Sequence, residues 1–537
     1  MKPLESAVRQ YLSQIYGLSS SVKLPDISWN SPRSLCLVLK TDPTIFPDQI
    51  SLQKLCLGVQ AIEFRVDYYC SGPANTSSSL NGQPKHPDWF VVAQALAFLR
   101  QKSGLPILYT LRTVSQGGKY EGSDPEYIHL IEAAFRQACE FVDIEMRLSD
   151  EQLSQLVQKR GRSKVILSHS WPESCSEMPW TSQQMLEKYE RGKKFDANAV
   201  KIVKPVSCIA DNFSSLALQA SLANQRDLPL IAINAGVLGR LSHQLNPILS
   251  PVTTRALPCV GDQLLTAPEL YRSLNLTGSL PMKVMFTPKQ LHSSEMQDAF
   301  SKAFDALGLP YSLTATDISM QMLAFRHTFG GGIVSTYPTQ DCPFTTSPAS
   351  HAIGHGDTLA LTQDKHQPGF GATTQQTVCL ENFRHTAISR SIEEHLSPVN
   401  AIGAATSAIV EGASQPLDRD VIYGLASLGI TSIILVNCSS DVIDFAESLS
   451  SSSMRLHISS APDLDHLAQQ STHRPPSIIV FCKGAIPLPT TLSEAPMGGT
   501  ILLLGQQTGE ERIDGWIEVG ENTVERELMS LRFQAFT

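Results

Sequence analysis

The chain has 537 residues, too many for one hydrophobic core, which indicates two or three domains. Apolar residues make up 42% of it and charged residues 17%, a composition typical of globular proteins and not of disordered ones. The formal charge is −9 and the longest basic run is the short RGKK at 191–194, which argues against direct DNA binding.

The same composition excludes other classes. The eleven cysteines form no C-x-x-C pair, so we expect neither a zinc site nor a disulfide framework, and no metal. The sequence shows no secretory leader and no apolar run long enough to cross a bilayer. We therefore expect a protein of the nucleus and cytoplasm with no membrane partner.

The first half of the chain alternates between apolar, strand-like runs and helix-like stretches. Residues 5–16 have helical periodicity and are assigned to a linker at 1–24. Eight strands alternating with helices predict a (β/α)8 TIM barrel, which we place at residues 25–275. The predicted strands are 34–40, 61–67, 107–112, 141–147, 164–170, 199–206, 230–236 and 251–257.

LTGSLPMK, residues 276–283, interrupts this pattern and begins a second unit of two lobes. Residues 280–395 mix short strands with Gly- and Pro-rich loops and form the first lobe. A new alternation over 396–537 predicts a Rossmann-like lobe with parallel strands and a C-terminal return helix. Its predicted strands are VNAIGAAT, TSIILVN, MRLHISS, PSIIVFCK and GTILLLGQ.

The site of a (β/α)8 barrel is built at the C-terminal ends of its strands. A lysine there can form a Schiff base once it is desolvated, and arginines can hold a substrate carboxylate. The alternative is a buried ion-pair network that only supports the barrel, and spacing alone leaves both interpretations open. The polar residues at the predicted strand ends are Glu63, Arg65, Arg112, Glu145, His169, Ser170 and Lys201.

Five motifs resemble type I 3-dehydroquinate dehydratase, most closely the dehydroquinase module of the fungal pentafunctional AROM polypeptide. They are EFRVD, YTLRTVSQGG, ILSHSWPE, AVKIVKPV and AINAGVLGRLSHQLNPILSPVTTRALP, in the family's order over about residues 30–270. The resemblance implies that a lysine forms an imine with the substrate ketone and a histidine removes the adjacent proton.

Carried over residue by residue, the resemblance implies that Lys201 stands at the Schiff-base position. It implies that the ligand is contacted by Glu63, Arg65, Arg112, Lys201 and Gln263. Ser170 stands at the position of the catalytic histidine, and His243 at that of a carboxylate-binding arginine. His169 precedes Ser170, and strand alternation turns it to the opposite face. The barrel is therefore expected to bind a ligand but to react poorly.

The second unit resembles shikimate dehydrogenase in its AROM form, over about residues 280–537. The motifs are MFTPKQLHSSEM, TFGGGIVSTYP, AIGHGDTLAL, NAIGAAT, SLGITSIILVN and GWIEVGENTVERELMSLRFQAFT. The resemblance implies a degraded dehydrogenase site, because the family's serine motif, catalytic lysine and asparagine are replaced. The replacing residues are His292, Ser294, Gln340 and Asp357.

The cofactor positions are also changed. A dinucleotide turn needs glycines so that the backbone can approach the pyrophosphate. IGAATS keeps only Gly403, followed by Ala405 and Thr406, and Cys438 stands where an arginine would pair the 2′-phosphate. We expect no cofactor. FGGGIV, residues 329–334, is interpreted as the entrance of a strand rather than as a phosphate loop.

Two degraded sites in AROM order resemble the family of fungal quinate repressors, which combine kinase-like, dehydroquinase-like and dehydrogenase-like domains. The resemblance implies a pseudoenzyme that represses quinate utilisation by binding a zinc-cluster transcriptional activator, with quinate, dehydroquinate or shikimate as effector. Residues 1–24 would be a remnant of, or linker from, the kinase-like domain. The alternatives are a weakly active 3-dehydroquinate dehydratase or AROM-type enzyme fragment, and a scaffold that binds no small molecule.

Overall fold

The computed structural model describes most of both predicted units. The described residues are 33–41, 52–70, 87–223, 228–256, 264–340, 342–363, 376–396, 406–452, 456–469, 476–484, 487–489, 499–504 and 516–536. The predicted linker 1–24, Gln263 and Gly403 lie outside these ranges.

The first unit is the predicted barrel. Its elements are β1 Leu35–Leu39, α1 Leu52–Leu55, β2 Ala61–Arg65, α2 Trp89–Ser103, β3 Ile107–Thr110, α3 Asp124–Arg136, β4 Phe141–Glu145, α4 Asp150–Gln158, β5 Lys164–Ser170, α5 Gln183–Lys194, β6 Ala199–Pro205, α6 Asp211–Ala223, β7 Leu230–Ala235, α7 Arg240–Leu245, β8 Ser250–Val252 and α8 Ala267–Leu276. The strands form one parallel sheet, ordered β7-β6-β5-β4-β3-β2-β1-β8, which confirms the predicted fold.

Alternation along the strands separates the two faces of this sheet. One residue from each of seven strands fills a single apolar layer inside the barrel: Cys36, Ala61, Leu108, Phe141, Ile166, Ala199 and Ile231. Their neighbours along each strand point outward and pack against the helices in a separate, larger cluster. The residues two positions further on face inward again, one layer nearer the strands' C-terminal ends.

The second unit contains two sheets. The first is built from β9 Lys283–Pro288, α9 Ser294–Leu307, β10 Tyr311–Thr316, α10 Met320–Ala324, β11 Phe329–Pro338, β12 Thr345–Thr346, α11 Pro348–Ile353, β13 His355–Gln363 and β14 Gln376–Glu381. Its strand order is β10-β9-β11-β13-β14-β12, with β13 antiparallel to both neighbours.

The second sheet is parallel and doubly wound. It follows α12 Arg384–His395 and contains β15 Ser407–Glu411, α13 Arg419–Ser427, β16 Ser432–Val436, α14 Ser440–Ser452, β17 His457–Ala461, α15 Leu464–Gln469, β18 Ile478–Phe481, β19 Gly499–Leu503, β20 Trp516–Gly520 and the return helix α16 Glu521–Phe536. The order β17-β16-β15-β18-β19-β20 reverses direction between β15 and β18, as in a Rossmann-like fold.

The first strand of this lobe among the described residues is SAIVE, Ser407–Glu411. The predicted strand VNAIGAAT, residues 399–406, lies outside the described residues except for Thr406. SAIVE is fully buried and pairs with both β16 and β18, which makes it the central strand of the sheet. Gly403 precedes SAIVE in the chain and therefore cannot belong to the turn that follows this strand. The terminal strand β20 was not predicted.

Candidate functional site

A layer of polar side chains lies directly above the apolar layer of the barrel. Glu63, Asp143, Ser168 and Lys201 each follow an apolar inward residue by two positions, on β2, β4, β5 and β6. All four are at least nine-tenths buried. Because charged groups are buried only when they are paired, this layer must form a network.

Lys201 is the centre of that network. Its Nζ donates to Glu63 Oε1 at 3.1 Å and lies 3.6 Å from Asp143 Oδ2. Burial raises the pKa of Glu63, but the positive charges of Lys201, Arg112 and Arg65 outweigh it and bring that pKa down to about 2. Glu63 is therefore ionised and Lys201 has a fixed counter-charge.

Asp143 contacts three residues of the site, Arg112, Ser168 and Lys201. The sequence analysis did not single it out. Arg112 Nη2 lies 3.3 Å from Asp143 Oδ2, and Ser168 Oγ donates to Asp143 Oδ1. The pattern FVDIE gave the signal: Asp143 is two residues after the inward Phe141. Glu145, which the sequence placed at the site, instead accepts from Thr113 N at 2.7 Å and holds the loop after β3.

The side chains of His169 and Ser170, the last two residues of β5, point to opposite faces of the strand. The charges that shift the His169 pKa are Lys188 and Arg191, both on the outer helix α5, and burial together with these charges lowers that pKa to about 4. Ser170 Oγ lies 3.5 Å from Arg112 Nη1, at the barrel mouth. His169 thus faces the helix layer and the serine faces the site, as strand alternation predicts.

Gln116 is a second residue that the sequence did not single out. It lies in the 3₁₀ turn Val114–Gln116 after β3 and is buried. Its Oε1 accepts from Ser170 N at 2.6 Å, which fixes the end of β5 against the loop after β3. A neutral amide is therefore the immediate polar neighbour of the serine.

The remaining predicted ligand contacts are engaged by the protein itself. Arg65 donates twice to Asp67, both times at 2.8 Å, and these bonds raise its pKa despite burial. His243 lies on α7 with Nε2 3.1 Å from the carbonyl oxygen of Asn234, and burial lowers its pKa. A neutral, buried imidazole is a poor substitute for a carboxylate-binding arginine.

The second unit contains a cleft of about 900 Å³ between its two lobes. Residues from β11, β13, α9, α12 and α16 line it, with Ser293, Asp357, Arg384, Arg526 and Arg532 among its polar groups. Asp357 is buried and holds both sides together: it accepts from Arg384 N at 2.8 Å, and Arg532 lies 3.5 Å from its Oδ1. These contacts tie β13 to α12 and α16 at the wall of the cleft.

The other residues assigned to a degraded dehydrogenase site do not line the cleft. Gln340 is exposed beyond the end of β11, and Ser294 is exposed at the start of α9. His292 is half-buried just before that helix. Ser293, between the last two, does line it and caps α9 by accepting from Met296 N at 3.0 Å. Arg384 in the cleft was not predicted.

The turn after β15 is where a Rossmann-like lobe would hold a pyrophosphate. Here Asp418 Oδ2 accepts from Ser414 N and Gln415 N, each at 2.7 Å, so an internal carboxylate occupies the turn's amides. Glu411 ends β15, is 2% exposed and accepts from Asn437 Nδ2 at 3.3 Å. Two carboxylates at this place oppose binding of an anionic group.

Cys438 follows β16 in the same region. Its thiol donates to the carbonyl oxygens of Val436 and Val410 at 3.3 and 3.5 Å. Burial raises its pKa to about 11. A neutral thiol turned onto the backbone offers no charge for a 2′-phosphate.

Within the described ranges, no group of three or more histidine, cysteine or acidic side chains could hold a metal ion. No helix among the same residues has the length and apolar character needed to cross a membrane.

Comparison with known proteins agrees with this architecture. Residues 36–281 match the family model of type I 3-dehydroquinase. The chain is 28% identical over 528 residues to the pentafunctional AROM polypeptide of Mycosarcoma maydis, covering 93% of this chain. The solved structure of dehydroquinate dehydratase and shikimate dehydrogenase from S. pombe AroM superposes with a TM-score of 0.75 and 25% identity, covering 94% of this chain and 96% of that one.

The chain is AROM-like. A type I dehydroquinase domain is followed by a shikimate-dehydrogenase-like region, in the order found in the S. pombe structure. This AROM-like chain spans 30% of the length of the M. maydis polypeptide.

Proposed function

We propose that this AROM-like chain is a regulatory pseudoenzyme that binds a hydroxylated cyclic acid in its barrel. The observation that supports the proposal most directly is the arrangement on β5 and β6. Lys201 is retained inside the barrel beside Glu63 and Asp143, whereas Ser170 occupies the inward position at the end of β5. A serine hydroxyl has no pKa suited to general-base catalysis. The barrel therefore keeps groups that can bind a ligand but lacks the general base.

The ligand class follows from the charges at the strand ends. Arg112 and Lys201 can attract a carboxylate, and Glu63 can accept hydrogen bonds from hydroxyl groups. Quinate, dehydroquinate and shikimate have these groups, and the resemblance to AROM makes them the first compounds to test. A sensor has no use for turnover, because consuming the effector would erase the signal.

The proposed output is repression of quinate utilisation through contact with a transcriptional activator in the nucleus and cytoplasm. This part rests on the resemblance to the fungal quinate repressors and on the acidic charge of −9, which does not favour direct contact with DNA. The effector would act by differential affinity for the free and activator-bound chain, typically ~1–3 kcal/mol.

The test has two stages. Calorimetry with quinate, dehydroquinate and shikimate first measures binding to the native chain and to Lys201→Ala, which should bind at least tenfold more weakly if one charge-assisted contact of ~1.5–3 kcal/mol is lost. Activator binding is then measured with and without the bound acid. An unchanged dissociation constant would rule out sensing and leave a scaffold.

The second candidate is a weakly active 3-dehydroquinate dehydratase or AROM-type enzyme fragment. The buried Lys201 favours it, because that residue is the imine-forming position in the resembled family. Slow but measurable turnover of dehydroquinate that is lost in Lys201→Ala would establish this candidate in place of the first.

A further inference from the structure

We propose that the carboxylate of the ligand is held at the rim of the barrel, where Lys40 and Lys119 flank the ring of Tyr68, and not inside the polar layer. The inference rests on the proposed function, because it states which part of the mouth binds the acid group of the same ligand. It also gives the ligand a direction, with its hydroxyl groups toward the polar layer and its carboxylate toward the rim.

Three cations surround the ring of Tyr68, which lies in the turn Val66–Cys70 after β2. Lys119 Nζ lies 4.7 Å from the ring centroid, the guanidinium carbon of Arg65 5.1 Å and Lys40 Nζ 5.5 Å. Lys40 follows β1 and Lys119 lies in the loop after β3. Three adjacent strands therefore contribute, at their C-terminal ends, to one group of four side chains, which we call the rim cluster.

The rim cluster is positioned by Asp67, whose side chain is fully buried. Its carboxylate accepts two hydrogen bonds from Arg65, both at 2.8 Å, and one from Lys119 N at 3.1 Å. These bonds hold the loop after β3 against the turn after β2. The fold itself therefore brings Lys119 to the tyrosine ring, which lowers the cost of ordering the site when a ligand binds.

The charges of the rim cluster are not balanced. Asp67 compensates Arg65, whereas Lys40 and Lys119 contact the ring of Tyr68 and no carboxylate among the described residues. Both lysines lie around one ring, within about one Debye length of each other, which is about 10 Å at 0.1 M salt. Like charges at this separation repel each other, and an anion between them would relieve that repulsion.

The polar layer below has no such excess of positive charge. Lys201 is paired with Glu63 at 3.1 Å and Arg112 with Asp143 at 3.3 Å, so each cation of the layer has its own carboxylate. Lys201 and Arg112 attract a ligand carboxylate, but beside them it would also meet these two carboxylates. Hydroxyl groups, in contrast, can donate to both. The charges therefore direct the acid group to the rim and the hydroxyl groups to the polar layer.

The spacing between the layer and the rim suits a single small ring. Glu63 and Arg65 lie on the same face of β2, two residues apart, which corresponds to roughly 6–7 Å along a strand. A hydroxylated six-membered ring carries its hydroxyl groups and its carboxylate at a comparable separation. One ligand can therefore reach the polar layer and the rim cluster together.

A cycle that pairs two ligands with two chains tests the inference. Calorimetry measures binding of quinate and of its uncharged carboxamide to the native chain and to the double variant Lys40→Gln with Lys119→Gln. We expect the double variant to bind quinate ~10-fold or more weakly, and the carboxamide to bind both chains alike. Raising the salt concentration should weaken quinate binding more in the native chain than in the double variant.

Lys159→Gln is the matched control for Lys119→Gln. Lys159 follows α4, is exposed and pairs with Glu132 on the neighbouring outer helix, away from the strands' C-terminal ends. Loss of its charge should change quinate binding by less than about twofold, because salt screens distant exposed charges. Tyr68→Leu removes the ring between the lysines and should weaken quinate binding, whereas Tyr68→Phe keeps the ring and most of the affinity.

The outcomes separate this inference from the proposed function. If the native chain and the double variant bind quinate equally, the rim site is wrong and ligand binding by the barrel stands. If quinate and the carboxamide lose affinity equally in the double variant, the lysines do not bind the carboxylate and the inference is also wrong. If quinate, dehydroquinate and shikimate all fail to bind the native chain, the proposed function fails and the inference fails with it.

Discussion

Lys201 and Glu63 form a 3.1 Å ion pair across the inside of the barrel, between β6 and β2. These strands stand four places apart in the sheet order, on opposite sides of the barrel. The pair therefore connects opposite sides of the polar layer that lies above the apolar one. It also fixes the Lys201 side chain at the place where a ligand would enter. Stability and binding depend on the same two side chains.

Removing Lys201 should destabilise the chain strongly. In Lys201→Met, the buried carboxylates of Glu63 and Asp143 lose their common partner, and breaking a buried pair from one side costs ~3–5 kcal/mol. Urea unfolding measures the loss. The double variant Glu63→Gln with Lys201→Met should recover part of it, because one of the stranded charges is gone. Equal stability of the native chain and Lys201→Met would show that the two carboxylates do not depend on Lys201.

Dehydratase activity should be absent or very low in the native chain. Loss of the general base typically costs ~10²–10⁴-fold in rate, and Ser170 cannot replace it. Dehydroshikimate formation is followed by ultraviolet absorbance. Ser170→His alone should not restore the full rate, since His243 still stands in place of the arginine and Gln116 offers the new imidazole only a neutral amide.

The stability of the barrel should depend on pH through His169. Burial, Lys188 and Arg191 lower its pKa from 6.5 to about 4 in the folded chain. The unfolded chain therefore binds more protons between those values, and stability falls as pH is lowered from 6.5 toward 4. His169→Gln should flatten this dependence by roughly 1–2 kcal/mol, allowing for the partial exposure of the ring. Parallel curves for both chains would refute it.

The barrel could be predicted because its strands are apolar runs bounded by turn residues at regular spacing. The inward face followed from alternation, which separated His169 from Ser170. Asp143 was missed because FVDIE reads as one continuous buried strand, in which Glu145 is the acidic residue at the C-terminal end. The same period of two would have placed Asp143 inside.

The Rossmann-like lobe was harder to predict, for a physical reason. NAIGAAT has the glycine and small residues of a dinucleotide turn, whereas the real turn begins after SAIVE and contains GASQPLD. Because acidic residues, Glu411 and Asp418, stand at its two ends, this turn does not match the glycine-rich pattern of a dinucleotide-binding turn. Which carboxylate caps which amides depends on the folded turn, and residue spacing does not reveal that.

NADP(H) should not bind to the second unit. Asp418 already accepts from Ser414 N and Gln415 N, and Glu411 lies buried at the end of the same central strand. A pyrophosphate would have to displace one carboxylate and approach another, and both steps are electrostatically unfavourable. Quenching of intrinsic fluorescence by NADPH measures binding. Asp418→Ala frees the amides but leaves Glu411, so we expect that NADPH still causes no saturable quenching of this variant. Asp418→Asn is the matched control for the loss of charge alone. Saturable micromolar quenching of the native chain, competed by NADP, would show that the turn opens and that the two carboxylates do not close the site.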